Sequence, residues 1–366
     1  MTHDDDQHAE VEARNKLRLA RIKTACERKD LPVIRKENHR LRTLMDPKRQ
    51  ITYCRVNKAS STFTIATLSK TFNCTRDCLR VPKGELKLLS DSEYRDVISK
   101  SFKFMFVREP YGRLFSTYCN KFYFTKMHWA PIGPEVVKRY RDNPSEESLK
   151  YGHDITFHEL VRFLVDEFEA GNNLDEHLRP MYLHCEPCDY PYDFIGNLET
   201  IESDWHYLRY TWQKKKIAEL PDDVGKDIRE GISEWRNVNM TLHRYENTTI
   251  SQYKLFLRVW SYYHITGRVC KDIAMPIDEN NNIGIDEFQT TLTNAIEQSK
   301  LLGDKCKNQK KEAKLQAYTT VPLELLERLQ KVFEVDCNLF GYETRPDWVF
   351  GRQNIASAFN YFKGIA

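Results

Sequence analysis

One short run constrains this chain more than any other feature. Phe102-Lys-Phe-Met-Phe-Val107 is its most apolar stretch, and it reads as a strand buried on both faces, as parallel strands are. Arg108 ends it, and Pro110 stands where a helix favours proline, at the first helical position, opening a helix expected to run through Phe124. Ile51-Thr-Tyr-Cys-Arg-Val56 alternates in the β manner, and Ser60 and Ser61 then precede a helix through Lys70. Tyr192-Asp-Phe-Ile-Gly196 is a third strand, with a helix over 202–215 after it. Further helices are expected at 134–141, 145–151 and 156–169. Leu323 to Phe340 is amphipathic, with Leu325, Leu326, Leu329, Val332 and Phe333 on one face. Strands separated by helical stretches make an α/β fold with a parallel sheet.

A chain of 366 residues accommodates one α/β domain with elaborations. Residues 1–45 read as an amino-terminal arm, charged and helix-prone from Ala9 to Lys29 and solvated or draped on the surface. The main domain is placed at 46–345, with a divergent, insertion-like region at 216–320, and a carboxy-terminal tail covers 346–366. Asp278-Glu-Asn-Asn-Asn282 fails the calcium-loop pattern, since Ile283 holds the glycine position and Gln289 the acidic one; it is expected to be a turn.

Lys plus Arg number 56 against 53 Asp plus Glu, which points to no nucleic-acid partner and makes any anion site local. No stretch approaches the roughly 18–20 apolar residues of a membrane span. Met1 to Glu12 is acidic and polar, unlike a signal peptide. Either the chain works without an anchor or an anchoring segment precedes it. Ten cysteines lean toward an oxidising compartment, as do sequons at Asn73, Asn239 and Asn247. Cys185-Glu-Pro-Cys188 reads as half of a zinc site, a redox pair or disulfide cysteines. No second CxxC and no paired-histidine motif accompanies it.

Two segments carry chemistry. In Cys54-Arg-Val-Asn57-Lys58-Ala59-Ser60-Ser61-Thr62 a lysine and small hydroxyl residues stand between strand and helix. There, backbone N–H groups and the helix amino terminus face a bound phosphate. Lys58 supplies a point charge; Ser60, Ser61 and Thr62 supply hydroxyl donors; the glycines of a GxxxxGK[ST] loop are missing. Alone, the same residues are a lysine in a surface turn. In Val107-Arg108-Glu-Pro110-Tyr-Gly-Arg113-Leu-Phe-Ser116 an arginine ends a strand and Ser116 projects from the second helical turn. Arg108 can fork onto a phosphate while Ser116 donates a further bond. Alone, this is a helix cap with Arg113 in a surface ion pair.

Together the two segments resemble the nucleotide site of sulfotransferases. Phe106-Val-Arg108-Glu-Pro-Tyr-Gly-Arg113-Leu, Asn120-Lys-Phe122, Glu176-His177-Leu-Arg-Pro-Met-Tyr182, Cys185-Glu-Pro-Cys188, Tyr192-Asp-Phe-Ile-Gly196-Asn-Leu-Glu199-Thr200 and Asn338-Leu-Phe-Gly-Tyr342 narrow the resemblance. They point to the Golgi carbohydrate sulfotransferases that modify chondroitin, dermatan and terminal glucuronic acid. The resemblance covers about residues 50–212 and 322–343. It implies a P-loop-like three-layer fold with a central parallel sheet, 3′-phosphoadenosine-5′-phosphosulfate as sulfate donor, a glycan acceptor and no metal. It also implies a Golgi lumen location with an amino-terminal anchor that this chain does not contain. Two departures stand out: Asn57 replaces the usual proline before Lys58, and Phe63-Thr64 replaces an Asn-Trp pair.

The resemblance further implies in-line sulfuryl transfer, which needs alignment and charge stabilisation. Lys58 falls to the bridging oxygen and is catalytic. Ala59, Ser60, Ser61 and Thr62 surround the 5′-phosphate, and Arg108 and Ser116 hold the 3′-phosphate. His177 is the candidate base, with His158 or Glu176 as alternatives. Glu199 either orients basic residues at the site or caps a helix, and Cys185 and Cys188 are expected in structural disulfides. N-Acetylgalactosamine 4-O-sulfation of chondroitin type is the first expectation for the acceptor and glucuronyl 3-O-sulfation the second. Lys214 to Lys216, Arg139, Arg141 and Lys150 are candidates for a basic groove. A phosphoryl-transferring P-loop enzyme would need a glycine-rich loop and a Mg²⁺ carboxylate that are not found. The departures at Asn57 and Phe63 motivate the remaining alternative, a donor-binding pseudoenzyme.

Overall fold

A computed structural model describes residues 3–27, 43–46, 49–73, 91–124, 129–220, 238–239, 241–243, 248–280, 283–351 and 359–363. The chain divides into two compact units. Met1–Arg113, Asp175–Gly231 and Lys331–Thr344 form the first; Leu114–Leu174, Ile232–Gln330 and Arg345–Ala366 form the second.

The first unit is built on a four-stranded sheet of β1 (Thr43–Asp46), β2 (Ile51–Cys54), β3 (Phe102–Val107) and β4 (Phe194–Asn197). The three expected strands are present and parallel, with Ile51 opposite Phe102 and Phe104 opposite Phe194. The sheet is nonetheless mixed, because β1 adds an antiparallel edge in which Thr43 faces Cys54. Side chains alternate across the sheet. Cys54, Met105, Val107 and Ile195 pack on one face against Ile22, Ala25, Met181 and Leu339. Ile51, Tyr53, Phe104, Phe106 and Phe194 pack on the other against Leu68, Trp205, Leu208 and Trp212. Gly196 faces Phe106 across the β3–β4 register, and a Cβ there would lie 2.3 Å from the ring; only glycine fits.

Residues His3–Cys26 form a helix that packs on β4 and on the Ile201–Lys214 helix. Asn15 accepts the Ile195 N–H at 3.1 Å and donates to Asp193 O at 3.1 Å, so its amide pairs with the edge strand and covers it. The completely buried Asp204 receives Arg14 at 2.9 Å, Arg18 at 2.8 Å, the Asn197 N–H at 2.8 Å and the Thr200 hydroxyl at 2.7 Å. Removing one partner of a buried pair strands the other charges. Asp204→Ala is expected to lower stability by about 3 kcal/mol, read from urea unfolding; an unchanged midpoint would remove the network from the account.

The second unit is helical. Glu146–Tyr151 and Phe157–Glu169 start at Ser145 and Thr156, each accepting a backbone N–H from three residues on, and Thr156 with Glu159 completes a capping box. The helix expected from Pro110 to Phe124 is α-helical only to Thr117 and continues as a π-helix over Tyr118–Phe124. Within the insertion-like region 216–320 stand helices Gln252–Thr266, Ile285–Leu301 and Gln309–Thr319, with a Cys270–Cys306 disulfide. Asn280 N–H bonds Asp278 Oδ1 at 2.8 Å in a local turn; Asn281 and Asn282 lie outside the described residues, as does the sequon at Asn247. No helix among the described residues is long and apolar enough to cross a membrane.

Candidate functional site

Parallel pairing delivers both informative segments to one edge of the sheet. Cys54 lies opposite Met105, and each segment leaves from a carboxyl strand end, where open α/β sheets bind ligands. Beyond Val56 the chain turns, with Ala59 N–H to Val56 O at 3.3 Å, and Lys58 and Ser60 both take φ 65°. Left-handed backbone costs a non-glycine residue about 1–3 kcal/mol. Ser60 is the N-cap of the Ser61–Thr71 helix, yet its side chain makes no cap bond, and its buried Oγ has no partner among the described residues. A buried hydroxyl in want of a bond, beside a helix amino terminus its own cap leaves open, is the chemistry of an anion site. A phosphosulfate fits these residues. Ala59 is buried, Ser61 and Lys58 are half-buried and Thr62 is exposed.

Arg108 Nη1 donates to Lys58 O at 3.2 Å, so the cation of the second segment touches the backbone of the first. Glu109 accepts Tyr111 N–H at 3.0 Å and Gly112 N–H at 2.6 Å, filling the amino terminus of the Pro110–Thr117 helix. Gly112 makes room, since a Cβ there would lie 2.8 Å from Glu109 Oε2. Any anion contact by this segment therefore belongs to side chains. Ser116 is half-buried and lies in the second unit's part of that helix.

His177 is 8% exposed. Asp175 Oδ1 accepts its backbone N–H at 2.8 Å and lies 3.1 Å from its Nδ1, which orients the ring. Glu176 sits 3.5 Å from Arg55. His158 lies in the second unit, half-buried, where burial and Arg162 hold its imidazole below the usual range.

Arg113 departs from the surface ion pair considered for it: it is 2% exposed. Its Nε donates to Asn57 O at 2.9 Å, its Nη1 to Arg179 O at 2.8 Å and its Nη2 to Glu176 O at 3.5 Å. Asp336, wholly buried, accepts Met181 N–H at 2.7 Å and Tyr182 N–H at 2.8 Å. Burial pushes its carboxyl up to about 6, against the pull of those bonds and of Arg113. Glu199 accepts the Glu109 N–H at 2.9 Å and the Tyr342 hydroxyl at 2.9 Å, tying the residue after Arg108 to the Asn338–Tyr342 segment.

Cys54–Cys185 and Cys26–Cys188 are disulfides, so the CxxC pair joins two distant segments and is neither a zinc half-site nor a mutual redox pair. Arg139 pairs with Glu167 at 2.6 Å and Glu135 at 3.2 Å, and Arg141 with Asp154 and Glu159; both are neutralised within the second unit. Lys214, Lys215 and Lys216 stay exposed.

The profile of the Sulfotransferase family matches residues 41–264, a span that includes both strand ends, Lys58, Arg108 and His177. The chain belongs to the sulfotransferase family. The carbohydrate sulfotransferases whose motifs it resembles are among its relatives. Carbohydrate sulfotransferase 14 of Danio rerio is 42% identical over 129 residues, 34% of this chain and 35% of the relative. The Homo sapiens protein of that name is 31% identical over 210 residues, 54% and 55% of the two chains. Carbohydrate sulfotransferase 11 of Rattus norvegicus is 34% identical over 145 residues, 36% and 41%. The chain spans about half or less of the length of these relatives, and no solved structure matches it significantly. The positions at which this chain departs from the family pattern lie in packed surroundings. Phe63 sets its ring edge-on to Trp205 at 4.8 Å, Thr64 is buried with its N–H on Ser60 O at 2.9 Å, and Asn57 uses its carbonyl to receive Arg113.

Proposed function

We propose that this chain transfers a sulfuryl group from 3′-phosphoadenosine-5′-phosphosulfate to a sugar hydroxyl of a glycan, on a P-loop-like three-layer α/β fold. The bond between sulfur and the bridging oxygen of the donor breaks as sulfur joins the acceptor oxygen. The acceptor proton passes to the His177 imidazole, and the 3′,5′-bisphosphate nucleotide leaves. Lys58 meets the charge that grows on the bridging oxygen. Ala59, Ser60, Ser61 and Thr62 surround the 5′-phosphate, and Arg108 and Ser116 hold the 3′-phosphate. The Arg108–Lys58 O contact of 3.2 Å carries this reading, because it joins two anion-binding segments fifty residues apart.

The acceptor is assigned as chondroitin-type N-acetylgalactosamine, sulfated at the 4-hydroxyl; the relatives' names support it at the level of carbohydrate. A Golgi lumen location accords with the two long-range disulfides. The transferase body is taken as 46–345 with a tail of 346–366, and the arm of 1–45 supplies it with edge-strand residues of β1 and the helix packed on β4. Transfer of labelled sulfate from the donor to desulfated chondroitin, dermatan and glucuronyl glycans tests the reading, with Arg108→Ala as control. Label entering a glycan and lost in the variant supports it, and the glycan labelled names the acceptor. Tight binding of the nucleotide product without transfer to any glycan would leave a donor-binding protein and overturn the transferase.

A further inference from the structure

We infer that Arg113 is a positioning residue that sets the separation between the donor loop and the segment bearing the base. The inference rests on the reading of Lys58 and His177 just given. The guanidinium, 2% exposed, takes Asn57 O at 2.9 Å, the carbonyl one residue before Lys58. It also takes Arg179 O at 2.8 Å and Glu176 O at 3.5 Å, the latter one residue before His177. The His184 Nε2 lies 3.4 Å from Nη2. Guanidinium is planar, with its donors in a fixed fork, so these carbonyls stand apart by a distance the group itself imposes. An ammonium, a single point with rotating donors, imposes none.

Burying a cation among neutral carbonyls is costly without a compensating charge, and the buried Asp336, held under Met181 and Tyr182, attracts it electrostatically. The same two segments are joined covalently nearby, through Cys54 and Cys185. One tie is enough to keep them together. A second, rigid one, ending beside the two groups that handle the leaving oxygen and the acceptor proton, controls alignment, and in-line transfer loses about 10²-fold for an ångström of misplacement.

Arg113→Lys tests this in the full chain. Its kcat is expected to fall about 10²-fold, far more than its affinity for the nucleotide product, whose 3′-phosphate is held by Arg108 and Ser116. Combined with Lys58→Ala, the losses are expected to fall short of multiplying, since both act through one group. A folded Arg113→Lys with wild-type kcat overturns the positioning role and leaves Lys58 standing if Lys58→Ala is inactive. Wild-type turnover in Lys58→Ala overturns the reading beneath it instead. Should Arg113→Lys lose its cooperative melt, Arg113→Ala with added guanidinium decides. Return of melt and turnover together supports alignment; return of the melt alone makes Arg113 merely structural.

Discussion

Lys58→Ala is expected to give a folded protein whose sulfuryl transfer is slower by about 10²–10³-fold, the scale of losing one transition-state donor. The position permits an unusually direct test of the ammonium. Lys58 sits at φ 65°, and alanine at that φ carries the same strain as lysine, so the backbone of the loop is under unchanged stress. The bond from Arg108 ends on the carbonyl of residue 58, which every substitution retains. What disappears is the side chain beyond Cβ, and with it the ammonium. Lys58→Gly extends the argument, because glycine relaxes a left-handed residue that costs about 1–3 kcal/mol. Its melting temperature should hold or rise while its turnover stays as low as that of the alanine variant. Turnover measured with labelled donor, alongside thermal melts of both variants, separates charge from shape. Wild-type turnover in either variant takes Lys58 out of the mechanism.

That this residue could be found without a structure follows from the range of the signals involved. β2, β3 and β4 announce themselves in four to six residues each, and a lysine or arginine directly after such a run marks the carboxyl edge of a sheet. Partners far apart in sequence leave no such trace. Arg113 looks like any charge in a helix, and its acceptors are backbone carbonyls 56, 63 and 66 residues away, a chemistry every residue shares. Asp175 is separated from His177 by a single position and could have been suspected as its orienting carboxylate. Asp204 meets Arg14 across 190 residues, and nothing in a charged amino-terminal stretch foretells a buried carboxylate waiting for it. β1 is four residues long in a basic, proline-broken stretch, below the length at which alternation can be read. The Gln252–Thr266 helix fails for the opposite reason. It is buried on nearly every side, with Arg258, Ser261 and His264 among its buried residues, so it has no apolar stripe to detect.

The CxxC pair shows what a spacing of three can hide, and it carries the largest expected effect on stability. Cys54 ends β2, and its partner Cys185 is 131 residues away. Closing a loop of that length stabilises the native state by about 4–5 kcal/mol when the entropy is withdrawn from the unfolded chain. A whole domain is worth about 5–15 kcal/mol, so Cys54→Ala with Cys185→Ala should bring the protein close to its unfolding threshold. Alanine is the proper replacement, since both sulfurs are buried among apolar side chains. Cys26 and Cys188, separated by 162 residues, provide the comparison. Their removal should cost a similar amount, but Cys26 closes the amino-terminal helix rather than the strand that feeds the donor loop. Donor-product affinity is therefore expected to weaken in the folded fraction of the Cys54/Cys185 variant and to persist in the Cys26/Cys188 variant. Urea unfolding gives the two stabilities, and calorimetry with the nucleotide product below each midpoint gives the affinities. Equal affinities would mean that Arg113 and Arg108 hold the loop unaided, and the disulfide would then serve the fold without shaping the site.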